Sequence, residues 1–424
     1  MRRRVLLADG DAGLISIRSL RLRIDGYEVM EVHDGAAARK ALDAFHPDVL
    51  LFDPSIEGGE SLLPWIRERP AYDLVKVVVN SATTLDGEHA FCRDLGADAF
   101  IAKPLEHERL LRTLNKVLRD EMHITFWGTR GSLARPGIDT LKYGGNTPCV
   151  SVELSKDRYF VFDAGTGIAD FGRALALVNR RYRFQLFLSH PRWEHVQGLP
   201  FFQPLRREGN DMVIHGPARL GQGLRGALEA HAGHVCRPVV VDEFASRPHF
   251  RELEEGEHRV DGLRLGVMAM NHPGRAVGYR LQSEAGQTVV YIAENEIVPG
   301  DRRARDQLAA FVDGADVLIH NAGYFDHEYR HCRGRGSSPL SEVLQLAADA
   351  SVKQLFLFNH DPEHDDEALS GMEAMARGYL EDRRIKLPCA MAKEGITVKL
   401  EAAEPARLLQ LVDRPRPSIL EEAR

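Results

Sequence analysis

"LSHPRWEHVQGLPFF", residues 188–202, closes an apolar, strand-like run and then sets two histidines, a glutamate and an arginine close together. His190, Glu194 and His195 carry lone pairs that metal ions accept. Arg192, lying between them, stays protonated at any physiological pH and repels a dication. The stretch therefore reads as a metal-gripping turn in which some gripping atoms have been exchanged.

A chain of 424 residues has room for about two or three domains, each burying its own core. Apolar residues at 44% and charged residues at 28% are ordinary for a folded chain, and a net charge of -7 gives no basic face that would draw nucleic acid by counterion release. No nucleic-acid partner is expected. The cysteines at 92, 149, 236, 332 and 389 form no CxxC pair, which argues against a disulfide framework or a thiolate zinc site and for a reducing compartment. The basic opening "MRRRVLLADGDAG" is cut by Asp9 before it can form a signal peptide, and no run approaches the roughly 20 apolar residues of a membrane span. A cytoplasmic protein without membrane contact is expected.

Upstream of the quoted stretch, the runs "RVLLAD", "YEVMEV", "DVLLFD", "VKVVVNS" and "AFIAKP" alternate with helical patterns such as "GAAARKALDAF". Strands joined by helices imply a parallel, doubly wound five-stranded sheet whose functional edge lies at the strand C-termini. Asp9, Asp53, Ser81 and Lys103 fall at those ends. This set resembles the receiver domain of two-component response regulators, a flavodoxin-like α/β fold, over residues 1–120. The resemblance implies that Asp53 accepts a phosphoryl group from a sensor histidine kinase, that Ser81 and Lys103 contact that group, and that Asp9 and Asp53 hold Mg2+. Gly10 stands where the family has a second acid, with Asp11 one place later, so Mg2+ binding should be weakened. Pro54 and Glu57 also depart from the usual acceptor loop.

After "RDEMHITFWG", strand-like runs recur at "CVSVEL", "YFVFDAG", "FQLFLSH", "LRLGVMAMNH", "TVVYIAEN", "DVLIHNAG" and "QLFLFNH". With "FWGTRGS", "YGGNTPCV", "FDAGTGI" and "NHPGRAVGYRL", residues 123–400 resemble the metallo-β-lactamase superfamily, in particular its phosphodiesterases of cyclic nucleotides and cyclic phosphates. The resemblance implies an αββα sandwich and, in active relatives, a carboxylate-bridged pair of metal ions, usually zinc, that turns bound water into hydroxide. Carried over by position, His190, His195 and His272 survive as ligands. Arg192 replaces the second histidine, Glu194 the aspartate, Glu294 the bridging aspartate and Asn359 the last histidine, unless His360 turns in. Asn321 and Ser337 stand where relatives often have an acid and a proton-donating histidine.

These exchanges bear on charge. Glutamate for aspartate moves a carboxylate by one methylene, where ligand distances tolerate only about 0.2 Å. Arg192 could pair with Glu194 and Glu294 and so replace the ions by a fixed organic cation. The leading expectation is a degenerate, metal-free pocket with no assigned catalytic residue. Its rival is a remodelled single-metal site, with Zn2+ or another transition metal on His190, His195 and His272, with or without a turned-in His360. If Asn359 also fails as a ligand, the second site keeps only Glu194 and His195, with or without Glu294, enough for one weakly held ion. An iron-based sensor is a third reading.

Other features receive plain readings: Asp163 in "FDAGTGI" supports the site from behind, Trp193 packs, and the histidines of "HAGHVC" and "HEYRHC" lie on surface loops. Arg130 and Arg275 are solvated or hold phosphate. Residues 401–424 form a frayed tail or a docking helix. The whole reads as a response regulator, a phosphoprotein whose output is a pseudoenzyme binding an unknown protein or small ligand. The alternative is a receiver-regulated, metal-dependent phosphodiesterase, and homodimerisation is left open.

Overall fold

The computed structural model describes residues 3–69, 72, 75–82, 95–118, 121–155, 158–177, 181–218, 221, 223–232, 244–401 and 410–413. The chain divides into two compact units, Met1–Arg119 and Asp120–Arg424. Among the described residues no helix is long and apolar enough to cross a membrane.

In the first unit the five apolar runs become β1 (Arg4–Ala8), β2 (Glu28–Val32), β3 (Val49–Phe52), β4 (Lys76–Ser81) and β5 (Ala99–Ala102). They pair in parallel in the order β2-β1-β3-β4-β5. Alternation along each strand feeds two cores, one per face: Leu6 and Ala8 enter one, Val5 and Leu7 the other. Because the buried strands read as continuous apolar runs, the polar residues just beyond their ends gather at one edge.

The second unit holds two sheets. One runs β11-β10-β9-β8-β7-β6-β19-β20 and the other β12-β13-β14-β15-β16-β17-β18. The first comprises β6 (Glu121–Gly128), β7 (Cys149–Ser155), β8 (Arg158–Phe162), β9 (Arg183–Phe187), β10 (Asp211–Pro217), β11 (His249–Leu253), β19 (Ile396–Glu401) and β20 (Gln410–Asp413). The second comprises β12 (Gly256–Val260), β13 (Leu263–Ala269), β14 (Val277–Gln282), β15 (Thr288–Ile292), β16 (Val317–Asn321), β17 (Leu355–Phe358) and β18 (Cys389–Met391).

Period-two alternation sorts their side chains into three layers of core. Phe160 and Phe162 of β8 meet Val289 and Tyr291 of β15 and Phe356 and Phe358 of β17 between the sheets. The intervening Tyr159 and Val161 face the helix Gly167–Ala176, while Val290, Ile292, Leu355 and Leu357 face the helices Arg302–Val312, Leu340–Asp349 and Asp366–Asp382. This is a four-layered αββα sandwich. The expected tail is partly a strand, since Gln410–Asp413 pairs antiparallel with β19 and so forms neither a frayed end nor a helix there. Residues 402–409 and 414–424, Cys92, Cys236 and most of "HAGHVC" lie outside the described residues.

Phe162 is fully buried between the sheets and stacks on Tyr291 with centroids 5.0 Å apart. Phe162→Ala should lower the stability of the second unit by about 3–5 kcal/mol in urea unfolding followed by circular dichroism. A loss below about 1 kcal/mol would show that the ring is not part of a packed core.

Candidate functional site

The receiver edge assembles as the sequence suggests. Asp9, one residue beyond β1, and Asp53, one beyond β3, are both buried, and Lys103 Nζ lies 3.1 Å from Asp9 Oδ2 and 2.5 Å from Asp53 Oδ2. Ser55 donates to Asp53 Oδ1 from its amide at 2.8 Å and its hydroxyl at 2.7 Å. Burial acts to raise the Asp53 pKa, but the bonds from Lys103 and Ser55 outweigh it and hold the group below its ordinary value. Ser81 ends β4 beside them, while Asp11 turns away to cap the helix Ala12–Ile24 through the Leu14 amide at 2.9 Å. Sequence reasoning missed Arg18, a buried arginine from that helix whose Nη1 is 3.1 Å from Asp9 Oδ2 and 3.2 Å from Asn80 Oδ1.

In the second unit the C-terminal ends of β8, β9, β15 and β17 converge. Asp163 follows β8 in a left-handed conformation (φ 59°), which an aspartate tolerates better than most residues. Its carboxylate accepts from the Ser189 amide at 2.8 Å, the Ser189 hydroxyl at 2.8 Å and the Tyr291 hydroxyl at 2.7 Å. Oδ2 also lies 2.9 Å from His195 Nδ1, an ion-pair contact without hydrogen-bond alignment. On the other side of the ring, His195 Nε2 is 3.3 Å from Glu294 Oε1. Complete burial works against a charged His195, yet Asp163 and Glu294 together raise its pKa to about 10. His195 thus lies between two carboxylates that favour its charged form.

Glu294 receives further donors. Asn359, also left-handed at φ 57°, gives its side-chain amide to Glu294 Oε1 at 3.0 Å and to the Ala293 carbonyl at 2.9 Å. His272 accepts the Gly274 amide on Nδ1 at 3.1 Å, so its proton sits on Nε2, 3.5 Å from Glu294 Oε2. Burial alone would raise the Glu294 pKa, but His195, His272 and Asn359 bring it below the ordinary value. His190 Nε2 donates to the Gly274 carbonyl at 2.5 Å, leaving Nδ1 buried without a partner. Burial and the neighbouring His195 and His272 lower the His190 pKa to about 4, and burial also lowers that of His272. Two loops press on these rings: a Cβ on Gly274 would collide with His190, and one on Gly336 (φ 86°) with His272. Glu296 pins the second loop by accepting from Tyr329 at 2.7 Å and the Gly336 amide at 3.0 Å.

Several expectations need correction. Arg192 is exposed at the entry to the one-turn helix Trp193–Val196, and among the described residues no ion pair links it to Glu194 or Glu294. The side chain that lies against Glu294 in its place is His195. His360 does not turn in: it is buried, with Nε2 2.9 Å from the Ala392 carbonyl. Trp193 is 41% exposed and is not part of the core. Arg130 is neither solvated nor free for phosphate, since the Gly144, Asp361 and His364 carbonyls take its guanidinium. Arg275, by contrast, is exposed. His327 and His331 are exposed on the helix Asp326–Cys332 rather than in a loop. Asn321 and Ser337 do meet, at 3.1 Å.

Among the described residues, Glu194, His195 and Glu294 form the one group of three or more candidate ligands, with atoms within 4.8 Å of one another. Two carboxylates and an imidazole fit a single divalent ion once His195 loses its proton. A bridged pair fits poorly: Arg192 offers no lone pair, His190 Nε2 is committed to a carbonyl, and Asn359 presents donors to Glu294. With its pKa above the ordinary 6.5, His195 contributes stability that is fully present below that pH and lost as pH rises through about 10. In EDTA, the melting temperature of the second unit should fall between pH 6.5 and about 10, and His195→Gln should remove that slope. A variant keeping the full slope would show that other groups cause it.

Comparison with known proteins agrees with this architecture. Residues 5–115 match the response regulator receiver domain and residues 158–360 a beta-lactamase superfamily domain. A ribonuclease Z of Halalkalibacterium halodurans is 24% identical over 288 residues, covering 58% of this chain and 90% of that protein. The transcriptional regulatory protein TrcR of Mycobacterium tuberculosis is 30% identical over 158 residues, 36% of this chain and 57% of that protein. Among solved structures, the metallo-beta-lactamase fold protein YhfI of Bacillus subtilis aligns over 66% of this chain and 99% of its own, with 15% identity and a TM-score of 0.48. The chain accordingly joins a response regulator receiver domain to a metallo-β-lactamase-fold domain related to ribonuclease Z.

Proposed function

We propose that this chain is a two-component response regulator in which a sensor histidine kinase phosphorylates Asp53 and the metallo-β-lactamase-fold unit acts by binding a protein or small ligand, not by two-metal hydrolysis. The observation that carries the reading is the state of Glu294. His195, Asn359 and His272 all direct nitrogen atoms at its two oxygens, so the carboxylate that would bridge two ions is engaged by organic donors. Arg192, though outside the pocket, adds positive charge felt at His190 and His272 and removes a ligand from the first metal position.

A second reading has its own support. Convergence of Glu194, His195 and Glu294, together with the kinship to proteins named ribonuclease Z, favours a phosphodiesterase holding one ion. Such an ion would supply Lewis acidity and a more acidic bound water. Asp163 would then orient His195, and Asn359 would steady Glu294.

Metal analysis of dialysed protein separates the two. The binding reading expects well under one zinc, iron or manganese ion per chain and no turnover of a chromogenic phosphodiester with added Mn2+ or Zn2+. One tightly held ion with turnover lost in Glu194→Gln would establish the enzyme instead. For the receiver, acetyl phosphate, with and without Mg2+, should add one phosphoryl group to the intact mass of wild type and none to Asp53→Ala. An unchanged wild-type mass under both conditions would leave the receiver as a scaffold.

A further inference from the structure

The helix Ala12–Ile24 buries Ile15, Arg18, Ser19 and Leu22, the i, i+3, i+4, i+7 face that packs on the sheet. An arginine on that face is out of keeping with its neighbours, and its guanidinium runs inward to the acidic edge. Nη1 reaches Asp9 Oδ2 at 3.1 Å and Asn80 Oδ1 at 3.2 Å, while Asn80 is itself anchored to the Ile101 carbonyl at 2.9 Å. The same Asp9 oxygen also meets Lys103 Nζ at 3.1 Å, and Asp9 Oδ1 accepts the Asp11 amide at 3.1 Å. Asp53 is closed in the same way, by Lys103 on Oδ2 and Ser55 on Oδ1. All four carboxylate oxygens therefore have protein donors.

Charge leads to the same conclusion. Two carboxylates, Asp9 and Asp53, face two cations, Arg18 and Lys103, and the exposed Asp11 adds a further negative charge felt at Arg18. A dication placed there would stand beside two positive groups. Mg2+ keeps an octahedral shell that usually includes several waters, and each Asp9 and Asp53 carboxylate oxygen already takes a protein donor. Gly10 supplies no third carboxylate, although a side chain would fit, since the nearest atom to its would-be Cβ is Ile56 Cγ2 at 3.9 Å. The residues present do not suit the ion that receiver domains ordinarily hold.

We propose that Arg18, with Lys103, takes over the charge of the receiver's divalent ion, so that this pocket is assembled without Mg2+ and Arg18 is the group that excludes it. The inference concerns the receiver pocket alone and stands whether or not Asp53 is phosphorylated or the other unit binds metal.

The test is a Mg2+ titration of the full chain, read by calorimetry and localised by the backbone amide shifts of Asp9, Gly10 and Asp11. Wild type should give neither saturable heat nor local shifts at millimolar Mg2+. Arg18→Met should acquire binding, and Gly10→Asp combined with Arg18→Met should bind at least about tenfold more tightly than wild type. Saturable wild-type binding with shifts at those amides overturns the proposal. So does a folded double variant as silent as wild type, because exclusion would then not depend on Arg18. Should Arg18→Met fail to fold, Arg18→Gln, which keeps length and polarity, takes its place.

Discussion

The second unit's pocket depends on one chain of charges, Asp163 to His195 to Glu294, buried where water cannot screen it. Each link is fixed by the fold: Asp163 by Ser189 and Tyr291, His195 by its place in the one-turn helix, Glu294 by Asn359. Removing one member would leave the others as uncompensated buried charges, which is far more costly than the net worth of the intact set. The same arrangement prepares a ligand set and occupies it. His195 and Glu294 are two of the three groups that converge on a candidate ion position, and they also lie within 3.3 Å of one another.

The receiver pocket follows a parallel logic with different residues. There the carboxylates are offset by a lysine and by an arginine that enters from the first helix. In both units, sites whose relatives use divalent ions set protein groups that carry or favour positive charge against their carboxylates. The two differ in permanence. An imidazolium can lose its proton to a competing metal, whereas a guanidinium cannot, so the output pocket stays open to one ion in a way that the receiver pocket does not.

Much of this was legible in the residues. The five receiver strands were marked by short apolar runs ending in Asp9, Asp53, Ser81 and Lys103, because polar residues at the ends of buried parallel strands have only the sheet edge to occupy. His190, His195, His272, Glu294 and Asn359 likewise meet because each follows a strand end at the same edge of the sandwich. Direction was not legible. Arg192 has the right position to enter the pocket but points to solvent, and the charge it was expected to supply comes from His195, whose pairing with Asp163 depends on the left-handed turn after β8. The Arg130 guanidinium is held by carbonyls from segments more than two hundred residues away, a partnership no local pattern announces. Arg18 left a trace, as a charged residue on an otherwise buried helix face, but what it meets is set by strand order.

The protonation of His195 tests the central claim most directly. Nitrogen-15 NMR of histidine-labelled protein near neutral pH, without added metal, should show both ring nitrogens of His195 protonated, as an imidazolium between Asp163 and Glu294 requires. A His195 ring with one unprotonated nitrogen, or with the shift of a metal-bound one, would contradict the account and return the pocket to its metal-binding relatives.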